Sequence, residues 1–417
     1  MNAYPTDPFA ALRYREFTFF GLASFFFTTA ILIQEVVLGY EIYRITHDPL
    51  ALGLVGLAEA IPYISLALLG GHFADKYDKK RIILLSLLVI LVGSFILHWA
   101  TLPETRAAHP DTFLLTIIYC VVALIGLARG FYSPATSSLK AFLTPREVYA
   151  NAASWYSSFW QTGAILGPGL AGFLYAWMGM AGTMWLVIAG LGLVFLLFLF
   201  IKKKPIPEVS LEEEQLSVWQ SIREGISFVF GNKLLLYSIS LDLVAVLFGG
   251  VVAILPVFAE DVLHVGAEGL GILRAAPSIG AVLTLVATAV YSPVRRAWLN
   301  MLIAVAGFGI ATIVFALSTH FWLSVTMLFL TGAFDSISVV IRQAILQLVP
   351  PDEIRGRVLS VNSIFVSTSN EIGAFESGLL AKTFGTVPSV LIGGSLTLVI
   401  VGFIWARTKE LLQVKLI

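Results

Sequence analysis

The chain has 417 residues, of which 58% are hydrophobic and only 12% are charged, and its mean hydropathy is +0.89. A composition this apolar excludes a soluble globular protein. The 26 lysines and arginines balance the 26 aspartates and glutamates, so the net charge gives no indication of a nucleic-acid partner. Cys120 is the single cysteine, which excludes a disulfide within the chain. The chain is therefore predicted to be a multi-pass integral membrane protein.

Twelve apolar runs are long enough to cross a bilayer, whose ~30 Å hydrocarbon core needs about 20 residues of helix. They lie at roughly 17–43, 52–74, 82–102, 113–135, 148–177, 182–201, 233–259, 267–291, 297–318, 321–345, 356–381 and 386–406. If the N-terminus is cytoplasmic, 20 of the 26 lysines and arginines fall on the cytoplasmic side. The positive-inside rule then predicts a protein of the cytoplasmic (inner) membrane with both termini in the cytoplasm.

The two halves of the chain repeat at a fixed offset. The matched glycines are Gly167 and Gly373, Gly172 and Gly378, and Gly179 and Gly385, each pair 206 residues apart (373 − 167, 378 − 172, 385 − 179). A parallel repeat of six plus six spans predicts an all-α membrane protein with 12 transmembrane helices in two six-helix bundles, related by a pseudo-two-fold axis along the membrane normal.

This reading divides the chain into three segments. Residues 1–201 are the predicted N-terminal bundle, 202–232 a cytoplasmic linker and 233–417 the C-terminal bundle. Within the linker, apolar residues at helical spacing between Trp219 and Phe230 predict an amphipathic helix that lies on the inner leaflet.

A short charged loop joins the second and third spans. Its pattern consists of Gly71, Asp75, Lys76, Lys80 and Arg81. This pattern resembles the signature of the same loop in the Major Facilitator Superfamily, where it is a latch that closes the cytoplasmic side, and the resemblance implies that role here. Asp78 stands where many members have a second glycine, so the turn must be made differently. The alternative is an ordinary basic loop that only sets the topology.

The fifth span carries a motif of small residues and one proline: Gly163, Gly167, Pro168 and Gly172. Small residues four apart make a smooth face for helix packing, and a proline within a helix removes a backbone hydrogen bond and bends it. The motif resembles the one found in antiporters of the same superfamily, which favours exchange. A generic kinked packing helix is the alternative.

Further stretches resemble one branch of the superfamily, the enterobactin-exporter-like branch of proton-coupled drug and siderophore exporters. They are residues 50–62, 128–135, 335–343 and 351–358. The resemblance covers nearly the whole chain and implies efflux of an amphipathic organic compound.

Ionisable residues within the spans require a functional or structural explanation, because inserting a charge at the bilayer centre costs at least about 2.5–3.5 kcal/mol of free energy. The residues expected to couple transport to protons are Glu35, Asp335, Glu371, Arg129 and Arg342. Asp335 is the repeat equivalent of Arg129 (335 − 129 = 206). A pair of these two, made in one access state and broken in the other, would let protonation bias the equilibrium. A fixed structural ion pair is the alternative for Asp335. For Glu371, the alternative to proton exchange is a structural carboxylate whose hydrogen bonds hold helices together.

Six polar or aromatic residues are candidate substrate contacts: Gln34, Tyr40, Glu59, Trp160, Asp242 and Asn370. For Trp160, packing or a place in the interfacial aromatic belt is the alternative. Glu41 lies near the outer end of the first span and is expected to be in contact with water.

The sequence contains no P-loop, no zinc-type cluster and no Ser-His-Asp arrangement, so it predicts neither an enzyme nor a cofactor or metal site. The predicted function is a proton-coupled antiporter that exports a drug-like or siderophore-like compound by alternating access. The expected partners are this small molecule, protons and the lipid bilayer, with the protein a monomer. The alternatives are a lipid or lysolipid flippase on the same fold and a membrane receptor that does not transport.

Overall fold

Helices make up nearly all the regular structure in residues 7–204, 218–291 and 293–413, the part of the chain that the computed structural model describes. The α-helices are α1 (Arg15–Thr46), α2 (Pro49–Lys76), α3 (Lys79–Ala100), α4 (Pro103–Ala108), α5 (Asp111–Lys140), α6 (Tyr149–Leu199), α7 (Val218–Gly231), α8 (Lys233–Phe248), α9 (Val251–Val257), α10 (Gly266–Val290), α11 (Ala297–Leu317), α12 (Phe321–Leu348), α13 (Asp352–Phe384) and α14 (Thr386–Arg407). Helices suit a bilayer because they satisfy their own backbone hydrogen bonds. The prediction of an all-α membrane protein is confirmed.

Ten of the described helical segments are long and apolar enough to cross a membrane. The predicted fifth and sixth spans together form the 51-residue α6, where Gly179 has φ 69° and ψ −177° and interrupts the helical dihedrals. Gly385, its repeat equivalent, has φ 96° between α13 and α14. Glycine is the residue that adopts a positive φ without steric cost. The α13 segment is not among the ten, so the count of twelve spans stays a prediction.

The seventh span, predicted over 233–259, consists of two helices, since α8 ends at Phe248 and α9 begins at Val251. The intervening pair Gly249 and Gly250 stabilises a helix poorly and allows the break. The apolar stretch from Lys233 to Val262 is still one of the ten candidate spans. In α6, Pro168 lies inside the helix, whereas the non-helical dihedrals lie at Gly179, between the predicted fifth and sixth spans. The bend at Pro168 stays a prediction.

The chain forms two compact units, and the first consists of Met1–His47 and Leu57–Glu208. Here α1 packs along α6, and α3 packs against both α5 and α6. The glycines of the α6 motif make the first contact possible, since a Cβ on Gly163 would lie 2.9 Å from the Phe25 carbonyl oxygen. Phe17 and Phe198 are among the fully buried side chains of this unit's core.

The second unit consists of Asp48–Gly56 and Val209–Ile417. The helix α12 packs between α10 and α11, α11 also packs on α14, and α13 packs on α8. Trp298 is the largest fully buried side chain, and its indole Nε1 donates a hydrogen bond of 2.9 Å to the Thr408 hydroxyl. Lys382 of α13 forms an ion pair of 2.5 Å with Asp48 in this unit.

The described part of the amphipathic helix α7 packs against protein. Val229 is buried in the core of the second unit, and Ile226 and Phe228 pack against that core. A Cβ on Gly225 would lie 2.9 Å from the Arg357 carbonyl oxygen in α13, and Glu224 forms an ion pair with the Arg357 side chain. These contacts join α7 to the second unit, and its place on the inner leaflet stays a prediction.

Two equivalent glycines lie at close helix crossings. In the first unit, a Cβ on Gly126 of α5 would lie 3.0 Å from the Glu59 Cα in α2. In the second unit, a Cβ on Gly332 of α12 would lie 2.6 Å from the Pro277 Cα in α10. The two glycines are 206 residues apart (332 − 126). Each half of the repeat therefore brings a pair of backbones together at the same position, which only glycine permits.

Replacing Gly332 with alanine is expected to lower the free energy of unfolding by about 1–3 kcal/mol, because the added methyl group overpacks the contact with Pro277. Gly402→Ala is the matched control, since a Cβ at Gly402 has no atom within 4 Å. Thermal unfolding of both variants in detergent measures the difference. An equal change in the two proteins would show that the crossing tolerates a side chain.

Candidate functional site

A cavity of about 260 Å³ lies within the first unit, and α1, α2, α5 and α6 supply its walls. Its aromatic lining residues are Phe20, Phe27, Tyr63, Tyr132, Tyr156, Trp160 and Phe198. Hydroxyl groups come from Ser24, Thr28, Ser133, Thr136 and Ser137. Arg129 is the charged side chain among the described lining residues, and Ile31 and Leu32 add aliphatic surface. A concave site with apolar walls and a few convergent polar groups is typical of a small-molecule binding site.

Helical spacing explains how these side chains come to share one surface. From Arg129, the lining residues of α5 follow at i+3, i+4, i+7 and i+8, which is one face of a helix. The lining residues of α1 from Phe20 to Ile31 follow the same spacing. From the sequence, Arg129 and Trp160 were predicted site residues, and Tyr156 is a further candidate beside Trp160 for an aromatic binding surface; the other lining residues were not predicted. The stripe of hydroxyls after Arg129 was the signal that could have found them.

Arg129 forms an ion pair with Glu59, and this pair borders the cavity. The Arg129 guanidinium also lies 5.9 Å from the centre of the Tyr63 ring. The predicted partner of Arg129 was Asp335, whereas the structure pairs it with Glu59 of its own unit. Both side chains stay accessible, with 36% of Arg129 and 23% of Glu59 exposed. Glu35 is exposed on α1 and its charge also acts on Arg129.

The expectation that Glu41 is in contact with water is wrong. Only 2% of its surface is exposed, and it forms an ion pair with Arg106 of α4. The Tyr175 hydroxyl of α6 donates a hydrogen bond to the same carboxylate, and Arg44 donates one of 2.7 Å to Tyr175. This network ties α1, α4 and α6 together. The network offsets the cost of burying the Glu41 charge, so the carboxylate is stable without contact with water.

Two candidate substrate contacts on α1 are placed in helix interfaces. Gln34 is buried, and its amide oxygen accepts a hydrogen bond of 2.7 Å from Ser94 of α3. Tyr40 is buried as well, with its ring 4.9 Å from the Tyr175 ring in an edge-on arrangement. These contacts argue against the predicted substrate role of both residues, because a ligand would have to break them. By contrast, Trp160 is exposed into the cavity.

In the second unit, Asp242 of α8 forms an ion pair with Arg342 of α12. Each side chain is only 4% exposed, so the pair is closed to solvent. This placement argues against the predicted contact of Asp242 with substrate and favours a structural role for Arg342. Asp335 is half-buried on α12. Within the described part of the unit, its carboxylate has neither a hydrogen bond nor an ion pair.

Two of the predicted site residues, Asn370 and Glu371, lie on α13. Asn370 is exposed, and its side-chain amide donates a hydrogen bond of 3.0 Å to the Val366 carbonyl oxygen. Glu371 falls in the same helix, but its side chain lies outside the described residues.

The loop between α2 and α3 turns with the help of Asp78, the residue that departs from the glycine of the family pattern. Asp78 caps α3 by accepting a hydrogen bond of 3.0 Å from the Lys80 backbone amide, and Lys203 lies 3.6 Å from its carboxylate. The Lys80 side chain donates a hydrogen bond of 2.8 Å to the Leu199 carbonyl at the end of α6. An aspartate is a preferred residue at this position because it accepts from the free amides of the helix N-terminus.

The other predicted latch residues are only partly described. Lys76 ends α2 and is exposed, and Arg81 lies 3.8 Å from Asp78. The side chains of Gly71 and Asp75 lie outside the described residues. The latch role of these residues stays a prediction.

A family model described as the Major Facilitator Superfamily matches residues 18–300. Among curated proteins, the chain is similar to "Enterobactin exporter EntS" of Citrobacter koseri, with 27% identity over 388 residues that cover 92% of this chain and 89% of the relative. The protein of the same name from Salmonella typhimurium is 26% identical over the same shares of both chains.

Solved structures show the same fold. A bacterial homolog of the human lysosomal transporter Spinster, in an inward-facing and unoccupied conformation, superimposes with a TM-score of 0.72 at 17% identity and covers 96% of this chain and 98% of its own. A POT family transporter in complex with 5-aminolevulinic acid gives a TM-score of 0.75 at 13% identity, with 95% of this chain and 96% of its own covered. At these identities the similarity concerns the fold alone.

Single substitutions in the buried pair, Asp242→Asn or Arg342→Gln, are each expected to cost about 3–5 kcal/mol of unfolding free energy, because the remaining charge stays buried without a partner. The double variant should recover most of this loss. The control is Glu410→Gln, which breaks the exposed pair with Lys233 and should cost about 0–1 kcal/mol. Denaturant or thermal unfolding of the four proteins measures the coupling. Additive losses in the double variant would contradict a direct pair.

Proposed function

The chain belongs to the Major Facilitator Superfamily, and from this premise we propose that it exports an amphipathic organic compound of the siderophore type. The observation that carries the proposal is the similarity to enterobactin exporters over 92% of this chain and 89% of the relative. The cavity of the first unit supports it, because aromatic walls with hydroxyls and one accessible cation suit an amphipathic ligand.

The proposal includes proton antiport by alternating access. A carboxylate can couple transport to protons when its charged form is costly at its depth in the membrane and substrate or conformation changes its surroundings. Asp335 is the leading candidate, because it is half-buried and its carboxylate has no partner in the described part of its unit. Glu35 and Glu371 are the further candidates. The buried pair of Asp242 and Arg342 is proposed to hold α8 and α12 together in every state.

The direction of transport follows from the proposed orientation. The one-sided distribution of lysine and arginine supports an inner-membrane protein with both termini in the cytoplasm. The basic residues of the loop between α2 and α3 would then lie on the cytoplasmic side, where the resemblance places a latch. Proton entry from outside would drive the compound outward.

Purified protein in liposomes loaded with enterobactin tests the proposal. Wild-type protein should release the compound several-fold faster under an imposed pH gradient than without one. Asp335→Asn should lose at least about tenfold of the gradient-driven rate, since its side chain can no longer exchange a proton, while downhill exchange persists. Glu104→Gln, at an exposed acid in α4, is the control and should behave as wild type.

Three outcomes separate the parts of this proposal. If wild-type protein moves no enterobactin, the proposed substrate class is wrong. If transport is insensitive to the gradient in every protein, antiport is wrong. If Asp335→Asn keeps the full gradient dependence while Glu35→Gln or Glu371→Gln loses it, the assignment to Asp335 is wrong.

A further inference from the structure

The cavity of the first unit is lined by two pairs of stacked aromatic rings. Tyr132 stacks on Phe27 with ring centres 4.4 Å apart and an angle of 25° between the planes. Tyr156 stacks on Phe20 at 5.6 Å, also at 25°. An aromatic lining of this kind favours a planar, unsaturated group, because further stacking and edge contacts add to the energy of burial.

The size of the cavity limits what enters it. A volume of about 260 Å³ lies below the roughly 300–1,000 Å³ that drug-sized ligands occupy. The cavity therefore holds one end of a larger molecule, of about the size of a single substituted ring. The lining offers hydroxyls without a hydrogen-bond partner among the described residues, namely those of Ser24, Thr28, Ser133 and Ser137. These groups suit a ring that carries polar substituents.

The charge at the cavity wall decides which substituents fit. The planar Arg129 guanidinium has parallel N–H donors that match the two oxygens of a carboxylate. In this structure the Glu59 carboxylate occupies one of these donors. Arg129 lines the cavity, and both side chains of the pair are partly exposed, unlike the closed pair of Asp242 and Arg342. A second cation borders the same aromatic wall, since the Lys140 ammonium lies 3.7 Å from the centre of the Tyr156 ring. Glu35 is the other acid whose charge acts on Arg129.

We propose that this cavity binds the aromatic, anionic end of the transported compound, and that Glu59 competes with the ligand for Arg129. An incoming carboxylate or phenolate takes the place of the Glu59 carboxylate on the guanidinium fork. Glu59 thus acts as an internal substitute for the ligand, which keeps the Arg129 charge paired when the cavity is empty. The inference rests on the proposed exporter function only in calling the ligand a substrate, and binding is measurable without transport.

Equilibrium binding of radiolabelled salicylate to the full-length protein in detergent at neutral pH tests this inference. Salicylamide, which has nearly the same size and no charge, is the matched ligand. Wild-type protein should bind salicylate at least about tenfold more tightly than salicylamide, the usual effect of one hydrogen bond to a charged group. Arg129→Gln should abolish that preference.

The sharper prediction concerns Glu59. Glu59→Gln should bind salicylate about tenfold more tightly than wild type, because a neutral amide competes weakly for the guanidinium. Glu41→Gln is the matched control: it removes a buried acid and its ion pair with Arg106 in the same unit, away from the cavity lining. Its salicylate affinity should stay within about twofold of wild type. Thermal unfolding of each variant checks that the protein is folded.

The inference is overturned if salicylamide binds as tightly as salicylate, or if Glu59→Gln weakens salicylate binding in a folded protein. The same holds if Glu41→Gln tightens binding as much as Glu59→Gln does, because a general change of charge would then explain both. These results are independent of the liposome experiment. Salicylate binding with the expected variant effects and no enterobactin transport would reject the proposed substrate while supporting the cavity, and transport without charge-selective binding would do the reverse.

Discussion

The high cost of an unpaired charge in a low-dielectric interior is the constraint on which this structure depends. Two strongly buried acids in the described helices each form an ion pair with a cation on another helix. Glu41 meets Arg106, and Asp242 meets Arg342. These partners are 65 and 100 residues apart in sequence (106 − 41 and 342 − 242), so the need for pairing fixes which helices become neighbours within each unit. Apolar contacts alone would do this weakly, because lipid tails satisfy an apolar helix surface as well as another helix does.

Accessibility separates two kinds of ion pair in this chain. The pair of Asp242 and Arg342 is closed on all sides, and such a pair stabilises an interface by holding it in one arrangement. In the pair of Arg129 and Glu59, by contrast, Arg129 lines a cavity and both side chains are partly exposed. The same kind of ion pair therefore holds two helices together in one unit and is proposed to exchange its acid for a ligand in the other. The burial of the pair, and not its residue types, makes this difference.

The repeat preserves the backbone and changes the charges. Gly126 and Gly332 make equivalent crossings, and Gly179 and Gly385 both have a positive φ. Three residues after each crossing glycine, the first unit has a cation, Arg129, and the second has an acid, Asp335. The partner helices are not matched in the same way, because Gly126 crosses α2 at Glu59 and Gly332 crosses α10 at Pro277. The repeat therefore places charges of opposite sign at equivalent positions of α5 and α12.

The sequence by itself determined the membrane class, the helices, the repeat and the superfamily, because each depends on composition or short-range pattern. A run of about 20 apolar residues must form a helix in a bilayer, whatever its neighbours are. Resemblance likewise depends on motifs that are contiguous in the chain. These features can therefore be predicted without knowing how the helices pack.

Only the tertiary structure decided the partners and the exposure of each polar residue. Depth along a span placed Glu41 at the boundary and Gln34 among the substrate contacts, yet the rotation of α1 against its neighbours buries both. The packing of the other helices likewise pairs Arg129 with Glu59 and leaves Trp160 open to the cavity. When a helical span has polar residues on several faces, the periodicity of its sequence does not show which face packs against protein and which lines a cavity. The physical reason is that exposure depends on which helices lie against each face, and those contacts join residues far apart in the chain.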